Sequence, residues 1–212
     1  LIVRQNRLAK ILECVNAAHP DLLVSTGDLV DGQLNELEGL AEQIRKVRAP
    51  LGKYAVTGNH EYYAGIGTAL KFTQEAGFTM LRERGLTVSG VLNLAGVDDP
   101  AGNRFGTGRK VSEKALLAEL PRSAFTVLLK HRPLPDNESG GLFDLQLSGH
   151  THKGQIFPFT VLIDSMYPKS AGLLELGAGA RLYVSRGSGT WGPPIRFLSA
   201  PEVTVIDLIS AE

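Results

Sequence analysis

Apolar residues at Leu8, Ile11, Leu12 and Val15 recur at helical spacing and predict an amphipathic helix from Arg4 to Ala18, ended by His19-Pro20. Leu22-Leu23-Val24 is a short apolar run that reads as a strand leading into Gly27-Asp28. A second helix is expected from Leu34 to Val47, with Leu37, Leu40, Ile44 and Val47 on one face and Pro50 closing it. Tyr54-Ala55-Val56 reads as the next strand, and Gly65 to Ala76 as a helix. Short strands follow around Met80, Val88 and Leu92 to Val97. Asp99 to Lys110 is loop-like, and Ser112 is a candidate N-cap for a helix to Leu120. Phe125 to Leu129 and Leu142 to Leu147 read as strands that run into His131 and His150. Ile156, Phe157, Phe159, Val161, Leu162 and Ile163 read as core strand; an apolar rim continuing through Met166, Tyr167 and Pro168 is the alternative. Strands are expected at Leu173–Leu176, Leu182–Ser185 and Val203–Leu208.

Helix and strand alternate in the first half, and strands dominate the second. That pattern favours a layered α/β fold with central sheets and outer helices. At 212 residues and 43% hydrophobic, the chain is expected to form a single domain over 1–212 with a full core.

Lys plus Arg equals Asp plus Glu, 22 each, so no global field favours nucleic acid, and none is expected as a partner. Cys14 is the sole cysteine, which excludes an intrachain disulfide and a cysteine-based zinc cluster. No apolar run approaches the roughly 20 residues of a membrane span. Composition leaves the compartment open between cytoplasmic, membrane-associated and exported.

The chemistry lies where apolar runs end. Gly27-Asp28-Leu29-Val30-Asp31, Gly58-Asn59-His60-Glu61, Lys130-His131-Arg132-Pro133 and Gly149-His150-Thr151-His152 are polar segments, each just after a strand. In open α/β sheets, ligands bind beyond the carboxyl ends of the strands, so parallel strands would gather these segments at one edge. A carboxylate, an amide oxygen and neutral imidazoles make a mixed O/N shell. It suits manganese, iron, zinc, nickel or cobalt better than calcium.

In order and spacing these four segments resemble the calcineurin-like metallophosphoesterases. The strings at 148–157 and 187–197 resemble the bacterial branch typified by the YkuE and YaeI phosphodiesterases. The resemblance implies a four-layer α-β-β-α sandwich of two mixed sheets flanked by helices. It also implies two divalent metal ions, with manganese favoured, and a metal-bridging hydroxide that attacks a phosphodiester or phosphomonoester. Carried over by position, Asp28 would bridge both metals, and Asn59, His131 and His150 would complete one shell. His152 would ligate the second metal, and His60 would act on the leaving oxygen. The family opens with an Asp-x-His strand that these residues do not contain. The expectation is therefore that the first strand is missing and that the second metal site is weak or empty in the chain as given. An unpaired neighbouring strand would be left exposed.

Blander roles compete at several positions. Asp31 reads as an orienter of a ligand. Glu61 is either a solvent-exposed loop residue or an orienter of His60. Among Arg132, Lys153 and Arg186, Lys153 is preferred as a phosphate contact because it follows His152 directly. Asp98 and Asp99 read as a turn before Pro100, and Trp191 as a pocket wall or a loop anchor. His19 is assigned no catalytic role. The partner expected is a small phosphoester. One rival reading is a pyrophosphatase of the UDP-acylglucosamine type, acting on a lipid-linked substrate at a membrane surface. Its mark would be a contiguous exposed apolar patch beside His150 and Lys153. A second rival is a non-catalytic protein-binding scaffold on the same fold.

Overall fold

The computed structural model describes residues 5–30, 39–108 and 111–209. Asp31 and the first part of the expected second helix, 34–38, lie outside them.

Three apolar layers separate four layers of structure. The outermost holds α1 (Gln5–Ala17), α2 (Leu40–Arg45) and α4 (Ile66–Glu75), which pack on a first sheet. That sheet is β1 (Leu23–Ser25), β2 (Lys53–Ala55) and β3 (Thr79–Met80), paired in that order and all parallel. Leu8, Leu40, Ile44, Ala69 and Phe72 pack with Ala55 between helices and sheet, as the helical periodicity requires.

The second sheet has the order β4-β5-β6-β7-β9-β8, with β4 (Arg84–Val88), β5 (Leu92–Gly96), β6 (Phe125–Leu129), β7 (Leu145–Ser148), β8 (Gly172–Glu175) and β9 (Arg181–Val184). Its central strands β5, β6, β7 and β9 run parallel, and β4 and β8 pair antiparallel at the edges. Val56, Leu81, Leu94, Val127, Leu129 and Leu147 fill the space between the sheets. Leu116, Leu117, Leu128 and Ala95 pack on the far side, under α6 (Glu113–Ala118). Every residue of β5 and β7 is buried, because helices or the other sheet cover both faces. Ser112 caps α6, its hydroxyl accepting from Ala115 N at 3.4 Å.

Four readings need correction. Asn59–Tyr63 form a short helix, α3, so Glu61 is helical and not in a loop. Within Asp99–Lys110, Ala101–Arg104 form α5. Val203–Leu208 make no sheet pairing among the described residues: Glu202 and Thr204 bond to Arg186 and Tyr183, so that segment's inward side is polar. Finally, the apolar run after Gln155 is not core strand. Phe159–Met166 form α7, a helix with no buried residue. An apolar run without period-2 polar positions does not separate helix from strand.

β1 stands at the edge of its sheet, and its outer side is unpaired among the described residues. A cavity of ≈ 300 Å³ lies there, between α1, β1 and the 203–206 segment, and reaches His131 and His150.

Candidate metal centre

β1, β2, β6 and β7 point their carboxyl ends the same way, so residues far apart in sequence meet at one edge. The turn after β1 carries Asp28, and that after β2 carries Asn59 and His60. His131 follows β6, and His150 follows β7. The two loops that carry Asp28 and Asn59 nearly touch. A Cβ on Gly58 would stand 2.7 Å from Asp28 N, and one on Gly27 (φ 97°) 2.6 Å from Gly58 N. Only glycine permits that approach.

The donor atoms converge on His131 Nε2. Asp28 Oδ2 lies 3.0 Å from it, His150 Nδ1 3.1 Å and Asn59 Oδ1 3.2 Å. The ligand atoms of Asp28, His131 and His150 all fall within 4.8 Å of one another. His131 Nδ1 meets the Thr26 carbonyl at 2.8 Å. That contact requires a proton on Nδ1 and turns Nε2 into the cluster, as a metal-bound imidazole needs. One carboxylate oxygen, one amide oxygen and two imidazole nitrogens form the O/N set that a transition-metal dication takes.

The electrostatics fit a site built for positive charge. Burial alone would push the His131 pKa down, but the Asp28 carboxylate and its hydrogen bond outweigh it, and the net rises to about 9. Burial would raise Asp28, yet His131 and His60 hold it well below the ordinary carboxylate range. Burial, then the neighbouring His131 and Arg132, push His150 down to about 4, so it is a neutral donor at pH 7. Asp28, His150 and His152 sit at φ 55°, 66° and 47°, backbone strain of the kind that gathers at functional sites.

Glu61 is fully buried, not solvent-exposed. Its carboxylate accepts from Asp28 N at 2.9 Å, Gly58 N at 2.7 Å and Val30 N at 3.2 Å. Burial and the Asp28 charge push its pKa up, against those donors. All three partners are N–H groups, so the geometry serves the ionised acceptor. His60, the second residue of α3, stands at the rim of the cluster. Its backbone N–H donates to Asp28 Oδ1 at 2.9 Å, and its ring lies 5.6 Å from that of Tyr63.

His152 stands apart. Its Nδ1 faces the Arg196 guanidinium at 3.0 Å, and burial, then that charge, lowers its pKa to about 3. Arg132 and Arg186 are committed elsewhere, to Asp99 at 2.8 Å and Glu202 at 2.6 Å. Asp98 pairs with Arg82 at 2.7 Å, and Asp99 Oδ1 caps Ala101 N, the turn expected there. Both main-chain polar groups of Trp191 are bonded to the Gln155 amide, which anchors the loop.

Sequence reasoning missed Thr26 and Arg196; Tyr167, read there only as part of an alternative apolar rim, has its ring 5.8 Å from that of His150. Thr26 acts through its carbonyl, which leaves no residue-type signal. Arg196 was legible only as part of the string at 187–197.

The calcineurin-like phosphoesterase family model matches residues 3–154. A metallophosphoesterase of Aquifex aeolicus is 39% identical over 209 residues, covering 98% of this chain and 80% of its own length. The Bacillus subtilis metallophosphoesterase YkuE is 35% identical over 217 residues, covering 96% and 73%. The chain spans about half the length of several other curated relatives. The solved Haemophilus influenzae NAD nucleotidase superposes with a TM-score of 0.58 at 18% identity over 85% of this chain and 43% of its own. That likeness is one of fold: two sheets flanked by helices. The extent of the family match, together with identities above 30% over nearly the whole chain, places this protein in the calcineurin-like phosphoesterase family, whose members are metal-dependent phosphoester hydrolases.

Proposed function

We propose that the protein hydrolyses phosphodiester or phosphomonoester bonds with a divalent metal, manganese favoured, held by Asp28, Asn59, His131 and His150. The observation that carries this reading is the convergence of three further donors within 3.2 Å of His131 Nε2. When bound, the metal supplies Lewis acidity toward a phosphoryl oxygen and a water activated at neutral pH.

The chain's own groups do the rest. Thr26 fixes the His131 tautomer. Glu61 locks the Asp28 and Gly58 turns together. His60, at the rim, donates a proton to the leaving oxygen. Lys153 follows His152 and carries no ion pair among the described residues, so it is available to a phosphate oxygen. His152 belongs to a second metal site that depends on ligands beyond those described. A lipid-linked phosphoester is a second reading of the substrate, favoured by the exposed apolar helix α7 that follows Lys153. The clustered, strained histidines argue against a scaffold, which has no use for them.

The test is hydrolysis of bis-p-nitrophenyl phosphate and p-nitrophenyl phosphate by the full-length protein with manganese. Asp28→Ala should abolish turnover of both. Equal rates in the variant and the wild type would sink the proposal.

A further inference from the structure

The helix α7 is an anomaly of packing. The other α-helices among the described residues each bury at least one residue; α7 buries none. Val161 is 64% exposed, Leu162 56% and Met166 58%. The face extends beyond the helix. An isolated bridge joins Ile156 to Phe197, Phe157 N donates to Phe197 O at 3.3 Å, and Phe157, Phe197 and Leu198 are all exposed.

The polar groups of α7 are largely engaged within its own segment. Ser165 Oγ donates back to Leu162 O at 2.7 Å, the Asp164 carboxylate accepts from Ser170, and Thr160 Oγ1 is buried. What remains outward is mostly hydrocarbon, aromatic ring and thioether; Asp164 and Ser165 are exposed as well, but each is engaged in a hydrogen bond within this segment. Its flanks are basic. Lys153 lies before α7 and Lys169 after it, and neither has an ion pair among the described residues. The face also borders the candidate metal centre, for Tyr167, the C-cap of α7, has its ring 5.8 Å from that of His150.

We propose that α7 and the 195–198 segment dock the protein on an anionic lipid bilayer, with the candidate metal centre at the headgroup level. An apolar helix face flanked by lysines is complementary to that surface: side chains enter the acyl boundary, and ammonium groups meet lipid phosphates. No described helix is long and apolar enough to cross a membrane, so α7 lies on the surface rather than spanning it. The placement of the metal centre at the bilayer rests on the hydrolase reading; the docking itself does not.

The probe is cosedimentation with vesicles of phosphatidylglycerol mixed with phosphatidylcholine, and with phosphatidylcholine alone. The protein should pellet with the anionic vesicles and much less with the neutral ones, and high salt should weaken the binding. Val161→Glu with Leu162→Gln should lower anionic-vesicle binding by about tenfold or more. Its turnover of soluble bis-p-nitrophenyl phosphate should be unchanged, which separates this proposal from the hydrolase reading. Lys169→Glu leaves the helix intact and should weaken binding to the anionic vesicles only. Equal pelleting of wild type and both variants would overturn the proposal. So would a wild-type dimer that the double variant splits while vesicles bind neither, because the face would then be a subunit interface.

Discussion

Glu61 accepts a hydrogen bond from the backbone N–H of Asp28 at 2.9 Å, across 33 positions of sequence. The same carboxylate takes Gly58 N at 2.7 Å. One buried side chain thus sets the distance between the two turns that carry Asp28 and Asn59. Glu61→Gln conserves shape but turns an NH₂ group toward N–H donors. Metal affinity should fall about 10–100-fold, the range for losing a residue that orients a ligand. Stability should fall by about 1–3 kcal/mol, since buried amides lose a charged acceptor. Titration calorimetry with manganese and a denaturant melt measure the two. Unchanged manganese affinity would show that Glu61 does not position the ligands.

The contact between those turns leaves no room for a side chain. Gly58→Ala would put its Cβ 2.7 Å from Asp28 N and against the Asp28 carboxylate, and backbone atoms there cannot yield cheaply. The variant should lose manganese binding and melt well below wild type, by about 1–3 kcal/mol as an overpacked site. Gly67→Ala is the matched control. It lies in α4, where a new Cβ would meet nothing within 4 Å, and it should be neutral or stabilising by up to about 1 kcal/mol. Similar thermal melts for the two variants would refute the close-approach argument.

These cases show what could be read in advance. Apolar periodicity located α1, α4 and most strands, because each buries one stripe or a whole segment against a layer. The ordered polar segments located Asp28, Asn59, His131 and His150, because parallel strands deliver their carboxyl ends to one edge. Three features were not legible. Glu61 is a carboxylate in a polar segment, and only tertiary contacts show that its partners are three backbone amides. α7 breaks the rule that an apolar run is interior, so the pattern favoured core strand and left an exposed rim only as the alternative. Val203 and Val205 alternate like a strand, yet a strand also needs a neighbour, and sequence pattern does not specify one.

The opposite shifts of His131 and of His150 and His152 predict a stability maximum near neutral pH for the metal-free protein. His131, raised from 6.5 to about 9, contributes stability that is complete below pH 6.5 and lost as pH climbs through about 9. His150 and His152, lowered from 6.5 to about 4 and about 3, act in the opposite sense. Their contribution is complete above pH 6.5 and lost as pH falls through those values. Melting temperature should therefore drop on both sides of about pH 7. Metal must displace the His131 proton, so manganese should flatten the alkaline limb, and its uptake at pH 7 should release a proton. Calorimetry in buffers of different ionisation enthalpy counts that proton. An alkaline limb that persists unchanged with manganese would contradict the assignment of His131.

His152 and His131 should respond differently to the same deletion. Arg196 donates to His152 Nδ1 at 3.0 Å, and its guanidinium is also held by the carbonyls of Arg186 at 2.8 Å and Gly187 at 3.0 Å. An imidazole whose Nδ1 accepts carries its proton on Nε2, so neither nitrogen offers a free lone pair. His152 can ligate only if Arg196 withdraws, and burial among carbonyls opposes that movement. His131 has the reverse arrangement: Nδ1 donates to Thr26, and Nε2 is turned to the other ligands. His152→Ala should leave the affinity of the first manganese within about threefold of wild type, whereas His131→Ala should cost about 100-fold or more. Arg196→Ala frees His152 Nδ1 and should raise occupancy of a second, weaker site. Metal analysis after equilibrium dialysis reads both stoichiometry and affinity. A large loss of the first manganese in His152→Ala would mean that His152 belongs to the cluster and that Arg196 does not hold it out.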